Sequence, residues 1–189
     1  MKALFAALAL SFAAAPAMGQ AVSEYTEYDV EADCSVVGRS LDGEGDWADF
    51  VCPGYAGYPF VIRYTDGRES ATYGFATESG MSTFSPFNYA NGTVEWRVRI
   101  DRDIEIPVAA IQRWFLADID GNWSREVLVV SRVGQPDGGG ACAVAYIDAQ
   151  TEGANQRARQ AADQLAETFT CGSDQPMVEE TVSDLVPAG

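Results

Sequence analysis

Histidine is absent from the 189 residues and lysine occurs once, at position 2; 28 acidic side chains face 12 basic ones, for a formal net charge of −16. The missing imidazole excludes Ser-His-Asp and Cys-His catalytic units, His-ligated zinc and haem, and any side chain with an ordinary pKa near neutrality. With its one lysine at the extreme N-terminus, the chain has no amine in its body for Schiff-base chemistry. A chain so short of cations is a poor ligand for nucleic acid, whose binding depends on Lys and Arg releasing condensed counterions. Beyond residue 19, no apolar run approaches the ~20 residues of a membrane-spanning helix. There is also no Cys-x-x-Cys pair, no internal repeat and no interior linker.

The first segment that is present reads as a secretory signal peptide over 1–19. Met1 and Lys2 form a short positive region, Leu4 to Ala15 an apolar run too short to cross a bilayer, and Ala17-Met18-Gly19 a small-residue cleavage site. Cleavage is expected after Gly19, with Ala21 the second choice, which sends the protein to the periplasm or outside the cell. No cysteine follows the apolar run before Cys34, so a lipid anchor is not expected. Residues 20–171 then make a single domain of ordinary size, and the charge becomes about −17 with the loss of Lys2.

The acidity is local. Glu24, Glu27, Asp29, Glu31 and Asp33 lie in one unopposed run, Asp42, Glu44, Asp46 and Asp49 in another, and Asp174, Glu179, Glu180 and Asp184 in the tail. The rest of the chain sets fifteen acids against eleven arginines and is near balance. With Pro176, Pro187 and few large apolar groups, residues 172–189 read as a disordered acidic tail.

The four cysteines, Cys34, Cys52, Cys142 and Cys171, all fall in the exported part, where an even count favours two disulfides over a metal site. A four-thiolate zinc centre lacks the Cys-x-x-Cys pair that usually seeds one. Three pairings are open. Cys34 with Cys52 and Cys142 with Cys171 are preferred because each closes a local unit. In the second, an antiparallel strand-and-helix return of ~20 and ~24 Å brings the ends together.

Strand signals dominate the middle of the chain. Val94, Trp96, Val98 and Ile100 alternate with Glu95, Arg97 and Arg99, which predicts a strand with one buried and one charged face. Apolar runs over 108–117, 127–133 and 141–147 predict three more, the first of them covered on both sides. Shorter strands are expected over 35–39, 47–51, 59–64 and 69–75, with a long loop over 76–91. After Asp148 the period changes to 3.6, and Ala154, Ala158, Ala161, Ala162, Leu165 and Phe169 define one apolar helix face. The fold class is therefore α+β: a largely antiparallel β-sheet with one C-terminal helix packed on a face, braced by two disulfides.

The order Cys34, Glu44-Gly45, Cys52-x-Gly54-x-x-Gly57-x-Pro59-Phe60, Glu95-Trp96-Arg97 and an Ala-rich helix ending in Cys171 resembles a group of small secreted four-cysteine proteins of Gram-negative bacteria with no assigned activity. The resemblance spans most of the exported chain and implies export, the four-cysteine framework and a sheet-plus-helix layout. It carries over no functional residue.

Three constellations could bind something. Asp42, Glu44, Asp46 and Asp49 offer oxygen ligands at spacings by which a loop can wrap calcium, although Trp47 stands where an EF-hand needs glycine and Pro53 where it needs glutamate. Asp118-x-Asp120-Gly121-Asn122 invites the same idea on a tighter turn. Tyr55, Tyr58 and Phe60 sit on a glycine-rich turn that could present rings to a sugar or a proline-rich peptide. No other cofactor is expected.

The reading this supports is a non-catalytic domain that binds a protein or glycan of the cell envelope. One alternative is an inhibitor of a basic cell-wall hydrolase such as lysozyme, which an acidic surface would attract. Tyr73, Thr77 and Gly80 are distantly similar to the Tyr-x-x-x-Thr-Lys-Gly signature of one such inhibitor family, with the lysine missing and the spacing longer by one. The other alternative is a hydrolase using paired carboxylates.

Overall fold

The computed structural model describes residues 21–42, 44–75 and 83–186. The expected signal peptide, the first seven residues of the 76–91 loop and the last three residues lie outside them. The elements run β1 (Val22–Glu27), α1 (Val30–Asp33), β2 (Ser35–Arg39), β3 (Trp47–Tyr55), β4 (Tyr58–Thr65), β5 (Arg68–Tyr73), β6 (Asn88–Asp101), β7 (Ile104–Ala117), β8 (Trp123–Arg132), β9 (Cys142–Asp148), α2 (Ala154–Leu165), β10 (Met177–Val178) and a 3-10 turn (Glu180–Val182). The expected class holds: mostly antiparallel strands, one helix packed on them, and disulfides Cys34–Cys52 and Cys142–Cys171.

The strands divide into two sheets. Among the described residues, six follow the order β1-β6-β7-β8-β9-β10 and four the order β2-β3-β4-β5, and of these strands only β10 joins its neighbour in parallel. The six-stranded sheet is the middle layer. On one face, Ala109, Ile111, Leu128, Val130 and Ile147 meet Ala154, Ala158, Ala161 and Ala162 of α2, whose methyl side chains let the helix lie close. On the other, Val94, Trp96 and Val98 meet Phe60, Ile62 and Tyr73 of the smaller sheet. Between the sheets, Gln112 donates from Nε2 to the Tyr28 hydroxyl at 2.6 Å and accepts from the Tyr73 hydroxyl through Oε1. Burial pushes both phenols up.

The charged face expected on β6 is not a solvent face. Glu95 and Arg97 are only 9 % and 6 % exposed, because α2 lies over them and supplies counterions. Arg159 Nε donates to Glu95 Oε1 at 2.6 Å and Arg97 grips Asp163. Arg159 and Asp163, four residues apart, share one stripe of the helix. Ile100, expected in the core, overhangs the sheet and is 57 % exposed. The helix stops at Leu165 rather than Phe169, and Arg132 Nη1 donates to the carbonyls of Ala166, Glu167 and Phe169 at 3.0 Å each, satisfying groups a helix end leaves open.

The tail is a correction. Through residue 186 it is ordered: β10 pairs with β9, and Val182 and Leu185 are buried against Phe84, Trp114 and Tyr146. Its acids look unopposed only along the sequence. Glu179 pairs with Arg157 at 2.8 Å and accepts from the Asp148 N–H, while Arg125 lies 3.8 Å from Asp184 and donates to the Thr181 carbonyl. Strand β1 was not expected, because Val22-Ser23-Glu24-Tyr25-Thr26-Glu27 alternates too weakly; β6 starts at Asn88, inside the expected loop.

Candidate functional site

The aromatic turn does not present a platform. Alternation along β4 turns Tyr58, Phe60 and Ile62 inward, and Phe60 is completely buried, its ring 4.8 Å from Tyr28 and 6.3 Å from Trp96. The Tyr58 hydroxyl donates to Gln135 Oε1 at 2.9 Å. That of Tyr55 donates to Glu105 Oε2 at 2.6 Å, a bond that pushes the phenol up to about 12. An exposed group of rings forms elsewhere: Tyr89 stacks on Phe115 at 5.1 Å and meets Trp123 edge-on at 4.9 Å.

The acidic loop is drawn toward β4 rather than closed on itself. Asp46 Oδ2 accepts from the Tyr64 hydroxyl at 3.0 Å, Asp49 lies 3.8 Å from Arg63 Nε, and Asp42 and Glu44 have no side-chain partner among the described residues. No group of three or more His, Cys, Asp or Glu that could hold a metal occurs among the described residues. Asp118 closes its own turn: Oδ1 accepts from the N–H of Asp120 and Asn122, and these bonds, with one from Ser124, hold its carboxyl below the usual range. Tyr73, from the inhibitor-like pattern, is buried; Thr77 and Gly80 lie outside the described residues.

A cleft of about 720 Å³ lies where the two sheets diverge, a volume typical of small-ligand sites. Its floor is the inner face of the larger sheet left uncovered by the smaller one: Trp114, Val129, Ser131, Ala143 and Tyr146. The C-terminal segment supplies the far wall through Asp174, Gln175, Pro176 and Val178, tied down by Cys142–Cys171. The near wall is β5. Glu69, Ser70, Ala71, Thr72 and Tyr73 all line the cleft, residues of both strand faces, so its backbone edge forms the wall. That edge has no strand partner among the described residues.

Each end of the β5 edge is closed. At one, Gly74 bridges to Gly134: Gly134 donates to the Tyr73 carbonyl and Phe75 to the Gly134 carbonyl, both at 2.9 Å. At the other, the Glu69 N–H donates to Asn88 Oδ1 and the Thr83 hydroxyl donates to the Glu69 carbonyl. The two-residue period of the strand turns the Ala71 N–H and C=O outward like those of Glu69 and Tyr73, with no partner among the described residues.

The side chains add unused polar capacity. Trp114 is 4 % exposed, and its Nε1–H is buried without an acceptor among the described residues. Ser70 and Ser131 are 5 % exposed and make no side-chain hydrogen bond among the described residues. The carboxylates are Glu69, pushed up by burial while accepting from the Ala90 N–H at 2.9 Å, and Asp174, which accepts from the Thr170 N–H at 2.7 Å. No arginine lines the cleft among the described residues.

Sequence reasoning missed this site. The available signal was polar serine among inward-facing apolar positions, Ser131 after Val127 and Val129, but a single serine in a strand is weak evidence. The wall contributed by 172–178 was hidden by its acidic, proline-containing composition. No protein-family model matches the chain, and none of the curated proteins or solved structures matches it.

Proposed function

We propose that the protein is an exported, disulfide-braced binding domain, periplasmic or secreted, that seats part of a cell-envelope protein or glycan in the cleft and needs no cofactor to do so. The observation that carries this reading is the preformed cleft with an unsatisfied donor, Trp114 Nε1–H, in its floor. A buried polar group without a partner is costly in an isolated domain, at about 1–3 kcal/mol, and is relieved when a ligand supplies the acceptor. Export is supported by the two disulfides, which persist in oxidising compartments, and no described helix is long and apolar enough to cross a membrane. Binding is favoured over hydrolysis because Glu69 and Asp174 each already serve a backbone N–H.

The test is hydrogen exchange of the purified protein with and without a solubilised envelope fraction. Slower exchange confined to 69–73 and 174–178 is expected. Slowing elsewhere moves the site, and unchanged exchange throughout removes the binding reading.

A further inference from the structure

We propose that the ligand group held in the cleft is an uncharged secondary amide joined to an apolar or ring-shaped body; this rests on the cleft being the ligand site. Three features select it. First, the β5 edge offers the N–H and C=O of Ala71 between the Glu69 N–H and C=O, taken by Asn88 and Thr83, and the Tyr73 carbonyl, taken by Gly134. So short an open stretch, with its carbonyls taken on either side of Ala71, matches a single amide, with its one donor and one acceptor, rather than a long added strand. Second, Trp114 Nε1 requires an acceptor oxygen, which an amide carbonyl supplies, and the hydroxyls of Ser70 and Ser131 can serve either half of the group. Third, charge discriminates. The cleft contains Glu69 and Asp174 and no arginine among the described residues, so an anion entering it would shed water and meet only like charge. Phe84 and Tyr146 furnish faces for the apolar body.

The chemistry is shared by two sources, a peptide unit and an acetamido sugar, which separate arms of the experiment distinguish. Amide and indole N–H resonances of the isotope-labelled protein are followed while adding N-acetyl-phenylalaninamide, its anionic analogue N-acetyl-phenylalanine, or N,N′-diacetylchitobiose. The Trp114 indole signal is identified by its loss in Trp114→Phe. One neutral probe at least is expected to move the Trp114 indole and Ala71 amide signals together at millimolar concentration, while the anion binds at least about tenfold more weakly. Trp114→Phe, checked for folding by its remaining spectrum, is expected to weaken the neutral probe about fivefold or more, the loss of one hydrogen bond. Trp123→Phe, altering an exposed ring outside the cleft, leaves binding unchanged.

A response to the capped amino acid assigns a peptide source, and a response to the disaccharide an acetamido sugar; either supports the amide site. No movement of the Trp114 and Ala71 signals with any probe, or equal affinity for the anion, overturns it. Should the envelope fraction still slow exchange at 69–73 in that case, only the amide class fails; should it not, the binding reading fails as well.

Discussion

Arg97 and Asp163 meet in a two-point contact, Nε to Oδ1 at 2.8 Å and Nη2 to Oδ2 at 2.7 Å, which locks α2 onto β6. The same guanidinium donates to the Ser23 hydroxyl and the Ala21 carbonyl, both at 2.6 Å, so one buried cation joins the N-terminal edge strand, the central sheet and the helix. Asp163→Ala strands that cation. The expected loss is about 2–3 kcal/mol of unfolding free energy, below the 3–5 of a fully buried pair because Asp163 retains some solvent contact. Asp163→Asn, which keeps one acceptor, is expected to lose less. Urea denaturation measures both; a loss under about 0.5 kcal/mol for the alanine variant would show the contact to be energetically idle.

Gly74 is required where the sheets join. Its φ is +81°, and a Cβ there would stand 2.2 Å from the Gly134 carbonyl oxygen. Gly57 has a similar φ of +82° but open space around it. Gly57→Ala is therefore expected to cost about 1 kcal/mol, the left-handed penalty alone. Gly74→Ala adds displacement of the bridge and is expected to cost about twice that or more. Equal melting temperatures for the two variants would contradict the steric argument.

Glu69 makes stability depend on pH. Burial raises its pKa above the unfolded value, so the folded protein retains a proton the unfolded chain has released. Its stabilising contribution is full below the unfolded pKa and is lost as pH rises through the folded one. Glu69→Gln keeps an acceptor for the Ala90 N–H and removes the titration. The variant should melt above the wild type at about pH 7, with the gap closing below about pH 4. A gap of constant size would remove the titration as its cause.

The two disulfides should differ in where they act. Chain entropy assigns about 3 kcal/mol to Cys34–Cys52 and about 3–4 kcal/mol to Cys142–Cys171, whose loop is longer. Cys142 lines the cleft and Cys171 leads into its far wall. Replacing both Cys142 and Cys171 by serine is expected to speed hydrogen exchange at 174–178 well before global unfolding. The Cys34/Cys52 double variant should lower stability without that local effect, and the same exchange pattern in both would show the far wall to be held by other contacts.

Local patterns in the chain are sufficient for several of these features. The alternation around Trp96, the alanine period after Asp148 and the return from Cys142 to Cys171 each follow from side-chain spacing within a few tens of residues, and the structure follows them. Spacing also places Phe60 and Tyr58 on one face of their strand. It does not say whether that face meets solvent or a second sheet, and the second sheet turns the expected aromatic platform into core.

The remaining features depended on partners distant in sequence. Glu95 and Arg97 read as a solvent face until α2, more than sixty residues on, covers them with Arg159 and Asp163. The tail reads as disordered until Arg157 meets Glu179, Arg125 meets Asp184, and the floor beside Trp114 receives Val182 and Leu185. The cleft lies where the two sheets, bridged at Gly74 and Gly134, diverge, leaving the edge at Ala71 and the indole of Trp114 without partners among the described residues. Periodicity carries a residue's own preference for water or core. What satisfies a charge or a backbone group at long range is settled by tertiary packing, and here that packing decided where a ligand could bind.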